Sequence, residues 1–93
     1  MILNVTDAKY KGEYKVFLTF NNGESVVADI EETIMNETRK IFFPLRDLEY
    51  FKSFKIRLNT ITWNNGADFA PEFLHDLSKA QEFNNSKKPI TTI

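Results

Sequence analysis

A predicted strand is joined to a predicted helix by the segment TWNNGADFAPEFL, which covers residues 62–74. The only Trp of the chain, Trp63, ends the strand, and the Asn-Gly pair that follows favours a tight turn. Pro71 suits the first position of a helix, where its missing N–H costs nothing. Glu72 in the first helical turn complements the helix dipole. The segment therefore predicts a rigid polar turn around Asp68 with aromatic side chains behind it.

Two alternating segments upstream predict a β-hairpin. Residues 14–20 place Tyr14, Val16, Leu18 and Phe20 on one face, and residues 24–30 alternate in the same way. The Asn22-Gly23 pair between them favours a type I′ turn, which needs positive φ at both central positions. Residues 2–10 have a rougher two-residue period and predict a first strand.

A second hairpin is predicted directly before the turn. Residues 54–58 alternate strictly, and residues 60–63 resume the pattern after a tight turn. Phe54, Ile56 and Leu58 fall on one face, which we expect to point towards the core.

The connection between the hairpins predicts short helical segments. Residues 31–40 have few apolar anchors and indicate a helical turn or loop that carries Ile34 and Met35 inward. We expect Pro44 to end that segment. The apolar residues Leu45, Leu48 and Phe51 then recur at helical spacing. They predict one or two helical turns packed on the sheet.

The helix that begins at Pro71 has an apolar stripe made of Phe73, Leu74, Leu77 and Ala80. Residues 84–93 have loop composition, and we expect a mobile tail there. Residues 1–83 are predicted to form one α+β domain, with a small, mostly antiparallel sheet of about five strands and one or two short helices on one side.

Composition excludes several classes of function. Twelve basic and thirteen acidic residues give a net charge of -1, too little to gather nucleic acid non-specifically. The chain has no Cys, so it has neither disulfides nor thiolate sites. No apolar run approaches the length of a membrane span. We expect a soluble cytoplasmic protein without cofactors.

Five residues are candidates for contact with a partner or ligand: Trp63, Asn65, Asp68, Glu72 and His75. Asp68 either contacts a ligand or accepts backbone N–H bonds at the start of the helix, and capping strongly favours the second interpretation. A lone Trp beside a Gly turn most often fills a core or interface, although it can stack on a ligand.

The sequence contains no residue set that is typical of a catalytic or metal site. Glu72-x-x-His75 has the spacing of a helical metal ligand pair, but such sites need repeated copies and the chain has one His, so no metal site is predicted. None of the Ser residues lies in a nucleophile elbow, and we expect no enzymatic activity. The basic strip Lys52, Lys55 and Arg57 is interpreted as the polar face of a strand, so direct nucleic-acid binding is not expected.

Three motifs together resemble a known family. They are Phe-x-x-Gly at residues 20–23, Pro-Leu-x-Asp at residues 44–47, and Trp-x-x-Gly-x-Asp-x-x-Pro-Glu-x-Leu at residues 63–74. The chain is similar to the bacterial family called domain of unknown function 2442. It departs from that family at Asn64, where Pro is frequent, and at His75, where Tyr is usual.

The resemblance implies a small α+β domain with no established enzymatic activity. Some relatives resemble regulators because a helix-turn-helix domain follows, and others resemble members of suspected toxin and antitoxin gene pairs. The residues after Ser78 are too few for a helix-turn-helix domain. The first hypothesis is therefore a non-enzymatic module that binds a small protein partner, as the regulatory or antitoxin-like member of a two-component system. The alternative is a small ligand-binding protein or enzyme that uses the turn of Trp63, Asp68 and Glu72. Exposed sheet edges also offer a surface for a homo-oligomer.

Overall fold

The computed structural model of the protein describes residues 2–87 and confirms the α+β class. The elements in chain order are β1 (Val5–Tyr10), β2 (Lys15–Phe20), β3 (Ser25–Asp29), α1 (Glu31–Asn36), a 3₁₀ helix (Lys40–Arg46), α2 (Leu48–Phe51), β4 (Lys55–Arg57), β5 (Thr60–Thr62) and α3 (Pro71–Lys87). The five strands pair antiparallel, as predicted, and they divide into two sheets, β1-β2-β3 and β4-β5.

The three-stranded sheet supplies one wall of the core. Its central strand, β2, buries the predicted residues Val16, Leu18 and Phe20, and β3 buries Val26 and Ala28 opposite them. The pairing of Leu18 with Val26 fixes a register that keeps these side chains on one face. The strand β1 begins three residues later than its sequence pattern predicts.

The turn between β2 and β3 is not the predicted type I′ turn. Of its residues, Gly23 alone has a positive φ, of 89°, whereas a type I′ turn needs two. The amide of Gly23 donates to Phe20 O at 3.0 Å, and the amide of Phe20 donates to Glu24 O at 2.9 Å. These bonds define a three-residue loop in which a left-handed Gly follows a type I turn.

The connection after β3 is more helical than its sequence indicates. The helix α1 buries Ile34 but leaves Met35 40% exposed, contrary to the prediction for Met35, because a six-residue helix presents only one side to the core. Pro44 does not end the segment; it lies inside the 3₁₀ helix, whose φ angles Pro can adopt.

The predicted helical stripe at residues 45–51 is interrupted by a new helix start. Asp47 accepts a hydrogen bond from Glu49 N at 3.1 Å and caps α2. The cap resets the phase of the helix, so Leu45 and Phe51 are buried while Leu48 is 39% exposed.

The second hairpin turns at Leu58 and Asn59, which both have positive φ, of 50° and 71°. Phe54 packs against the core, but the prediction that Ile56 and Leu58 do so is wrong. The inner side of this hairpin is supplied instead by β5, in which Ile61 is completely buried. Leu58 stands at the tip of the turn, beyond the reach of the core.

The helix α3 packs beside β3. Its buried residues Leu74 and Ser78 are one turn apart, whereas Phe73 and Ala80, predicted to belong to the apolar stripe, are exposed. The side-chain amide of Gln81 bonds both the N–H and the C=O of Asp29, at 3.0 and 2.9 Å, and so fastens the helix to the sheet edge.

The helix also continues to Lys87, four residues into the segment that its composition predicts to be a tail. The rest of that segment, residues 88–93, lies outside the described residues. Within residues 2–87, no helix is both long enough and apolar enough to cross a membrane.

Candidate functional site

The turn after Trp63 has the same backbone bonds as the turn after Phe20. Gly66 has a φ of 93° and donates to Trp63 O at 2.9 Å, while Trp63 N donates to Ala67 O at 2.9 Å. The Asn65 side chain accepts the amide of Ala67 at 3.0 Å and stiffens the loop. A bridge between Thr62 and Asp68 then aligns the chain antiparallel to β5 before α3 begins.

Trp63 is a core residue. Its ring is 1% exposed, and its indole N–H donates to Phe51 O at 2.8 Å. The rings of Phe51 and Phe69 lie 5.7 and 5.9 Å from it. A side chain with this burial cannot stack on a ligand, so Trp63 serves the site by fixing the strand end from which the turn begins.

Asn65 fastens the turn to the preceding helices. Its Nδ2 donates to Ile41 O at 2.8 Å, and its backbone N–H donates to Tyr50 Oη at 3.2 Å. Together with the bond to Ala67 N, these contacts use both ends of the side-chain amide. Asn65 therefore holds the turn in place.

Asp68 is placed differently. Its side chain is exposed and makes no hydrogen bond or ion pair with any residue in the described range 2–87. The expected capping bonds near Ala70 are not formed; Ala70 itself accepts the first helical bond through its carbonyl, from Leu74 N at 3.1 Å. The fold thus leaves the Asp68 carboxylate available.

A cleft of about 480 Å³ opens beside Asp68, between the start of α3 and the connection that follows α1. Its apolar lining comes from Ile41, Phe42, Phe69 and Phe73. The rings of Phe42, Phe69 and Phe73 form a row, with centroids 5.2 Å apart for the first pair and 5.8 Å apart for the second. Phe42 and Phe69 are buried, whereas Phe73 is 40% exposed.

An ion pair also lines this cleft. Glu37 accepts two hydrogen bonds from the guanidinium of Arg39, at 2.9 and 2.8 Å, and Arg39 lies 4.7 Å above the Phe42 ring. The Arg39 side chain, with its backbone N–H, lowers the pKa of Glu37 to about 2. At neutral pH these two charges compensate each other. Of the charged residues described in the lining, Asp68 is the one that no neighbour neutralises.

Glu72 and His75 do not join this cleft. Glu72 is exposed on the first turn of α3 and is not part of the lining. His75 is half-buried, lies edge-on to Phe20 and pairs through Nε2 with Glu24 at 2.6 Å. The pKa of Glu24 is lowered to about 2, first by Lys79, then by His75 and Asn22. His75 therefore belongs to a contact between α3 and the first hairpin.

The five candidate residues consequently do not form one constellation. Among the described residues, no group of three or more His, Cys, Asp or Glu side chains is placed to hold a metal ion. Sequence reasoning missed the second wall of the cleft, formed by Glu37, Arg39 and Ile41. No periodicity marks these residues, and the one available signal was a Glu and an Arg two positions apart in a segment with few apolar anchors.

The chain matches the model of the family described as "Protein of unknown function (DUF2442)" over residues 5–80. It belongs to this family. The match covers β1 through most of α3, including the cleft and the turn after Trp63.

The fold also resembles a solved structure, that of a "Putative DNA Binding Protein" from Nitrosomonas europaea. The TM-score is 0.75 and the sequence identity 17%, over 89% of this chain and 53% of the other, so this chain spans about half the length of that protein. At this identity the likeness shows the fold alone. No curated protein matches the chain.

Proposed function

We propose that this DUF2442 protein is a non-enzymatic module that binds a protein partner through the cleft beside Asp68. The observation that carries the proposal is the Asp68 carboxylate, which is exposed and without a partner among the described residues, next to a row of Phe rings. A charge that contributes nothing to the fold, beside apolar surface, is typical of a contact surface.

The chemistry of the cleft defines the partner. Phe73 and Ile41 line the cleft, are 40% and 41% exposed, and offer apolar area to one side chain. Asp68 favours a cation or an N–H donor near that side chain, because a charge-assisted hydrogen bond is stronger than a neutral one. The partner segment is therefore expected to carry an aliphatic or aromatic residue close to a Lys or Arg.

The regulatory or antitoxin-like role in a two-component system is a more specific proposal. Its support is the resemblance of the chain to family members in suspected toxin and antitoxin gene pairs. A module that neutralises a second protein needs a rigid, preformed surface, and the bonds that fasten Asn65 on both sides of the turn supply one.

A small cationic ligand in the same cleft is the alternative. The cleft volume lies in the range of small-molecule sites. The enzyme or ligand site built from Trp63, Asp68 and Glu72 loses support, because only Asp68 faces the cleft.

Nucleic-acid binding has less support from the cleft, whose uncompensated charge is negative. Lys55 and Arg57 are exposed, but Lys52 is paired with Glu49 at 3.0 Å. If nucleic acid were the partner, retention of the protein on a polyanion column would fall steeply with salt.

Affinity capture tests the proposal. The tagged protein would be expressed in its native host and captured at moderate salt. The proteins that remain bound would be identified by mass spectrometry. Asp68→Asn is the test variant, and Glu72→Gln is the matched control, since Glu72 is a nearby exposed carboxylate outside the cleft. A stoichiometric partner that is retained by Glu72→Gln and lost with Asp68→Asn supports the proposal. A partner captured equally by both variants contradicts it.

A further inference from the structure

The tip of the β4–β5 hairpin carries an apolar side chain that the fold does not use. Leu58 is 92% exposed and has a φ of 50°. A left-handed backbone costs a non-Gly residue roughly 1 kcal/mol, and type I′ turns favour Asn, Asp or Gly at this position. Leu58 therefore gains nothing from burial and opposes the preference of the turn, and such local backbone strain is typical of residues that serve a function.

Two cations lie on the strand that leads to this side chain. Lys55 and Arg57 belong to β4, and both are exposed. Neither side chain forms an ion pair or hydrogen bond with any of the residues 2–87 that the structure describes. We call Lys55, Arg57 and Leu58 the knob. It presents one aliphatic group beside uncompensated positive charge, which is the chemistry that the cleft beside Asp68 selects.

The hairpin that carries the knob is bonded to one wall of the cleft. The hydroxyl of Thr60, two residues after Leu58, donates to Phe69 O at 2.5 Å, and Phe69 is a wall of the cleft. Thr62 on the same strand pairs with Asp68. Neighbouring complementary surfaces on one chain allow two copies to exchange them around a two-fold axis, which closes the assembly at a dimer.

We propose that the chain forms a two-fold dimer in which Leu58 of each copy occupies the cleft of the other. Arg57 and Lys55 then face Asp68, and the Leu58 side chain covers Phe73. The proposal deepens the proposed function, because it uses the same cleft and names a second copy of the chain as an occupant. Each contact is small, so the dimer is weak and depends on concentration. A protein partner with the same chemistry displaces the knob.

Sedimentation velocity of the purified full chain tests the dimer. The wild-type protein is expected to shift from monomer to dimer as its concentration rises, and the dimer is expected to weaken at higher salt because the contact includes exposed charges. Leu58→Asn removes the apolar group and suits the left-handed turn, so the fold is retained. Asp68→Lys reverses the charge of the cleft. Each variant is expected to weaken dimerisation by about thirtyfold or more, as for the loss of a binding hot spot.

Mixing the two variants gives the decisive control. The Leu58→Asn copy keeps an intact cleft, and the Asp68→Lys copy keeps an intact knob. One intact knob–cleft contact is then possible between them, so the mixture is expected to associate more strongly than either variant does alone, although more weakly than the wild-type protein. A wild-type protein that stays monomeric at all concentrations overturns the proposal, and so does a dimer that survives Leu58→Asn.

The outcome separates the two proposals. If the wild-type protein is monomeric but capture of a partner still requires Asp68, the dimer is wrong and the binding module stands. If dimerisation requires Leu58 and Asp68 but no partner depends on Asp68, the dimer stands and the cleft serves self-association alone.

Discussion

Two loops of this protein share the sequence Asn-Asn-Gly and the same backbone, yet the fold uses them differently. The first follows Phe20 and the second follows Trp63, and in both the Gly has a φ close to 90°. Their Asn side chains accept the amide two residues ahead at the same distance, 3.0 Å. The local conformation is therefore fixed by the tripeptide and the buried aromatic residue before it.

The surroundings make the difference. After the first turn, Glu24 is held by three side chains of the same molecule, those of Asn22, His75 and Lys79. After the second turn, Asp68 has no such partner among the described residues and borders an apolar cleft. The two turns have the same geometry, but Glu24 stabilises a contact within the fold, whereas the Asp68 carboxylate is available to a partner. The tertiary neighbours of each turn cause this difference.

The largest effect is expected where both turns begin. Trp63→Ala should lower the free energy of unfolding by about 3–5 kcal/mol, because it empties a buried site. It also leaves Phe51 O without its hydrogen bond. Phe20→Ala is the matched variant and should fall in the same range. Urea denaturation measures both, and a loss below about 1 kcal/mol for either would show that the aromatic residue does not anchor its turn.

The next largest effect on stability is expected to differ between the two Asn residues of the turns. Asn65→Ala should cost about 1–2 kcal/mol, because it removes a bond to Ala67 N and one to Ile41 O in another element. Asn22→Ala removes bonds only to the nearby Glu24 and should cost about 0.5 kcal/mol. Thermal unfolding of both variants checks this order. Equal losses would mean that the second turn is no more firmly held than the first.

The pH dependence of stability should reveal the contribution of the Glu24 contacts at the first turn. The pKa of Glu24 is about 2 in the folded protein, below its ordinary value of 4.5, so its contribution is complete above pH 4.5 and is lost as the pH falls to about 2. In Glu24→Gln this acid-dependent loss should be smaller. Denaturation midpoints measured between pH 4.5 and 2 provide the test, with Glu37→Gln as a parallel case. Superimposable curves for wild type and Glu24→Gln would refute the role of Glu24.

The smallest effect on stability is expected at Asp68. Asp68→Asn should change the free energy of unfolding by less than about 0.5 kcal/mol, because the carboxylate supports nothing in the described fold. Chemical denaturation beside the Glu72→Gln control measures it. A loss above about 1 kcal/mol would show that Asp68 is a structural cap after all.

Local patterns predicted much of this fold. Alternation identified the inner faces of β2 and β3, and Pro71 marked the start of α3, because a strand face and a helix start are decided by residues close in sequence. The phase errors at Met35 and Leu48 arose where short helices begin and end within a few residues. Such boundaries depend on caps such as Asp47 rather than on periodicity.

The candidate site was only partly predictable. Asp68 was recognised from its place in the turn, but its lack of a hydrogen-bond partner depends on where Ala70 and α3 lie in space. The lining at Arg39 comes from a segment about thirty residues earlier, and no local signal connects the two. Leu58 was predicted to be buried because alternation cannot show that a turn projects beyond the core.

We infer that the second turn is a binding site, whereas the contacts of the first turn stabilise the fold. Isothermal titration calorimetry with the captured partner tests this difference directly. Wild type, Asp68→Asn and Glu72→Gln would be titrated under identical conditions. Asp68→Asn is expected to raise the Kd by about thirtyfold or more, while Glu72→Gln is expected to leave it within about twofold. Equal Kd values for wild type and Asp68→Asn would contradict this inference.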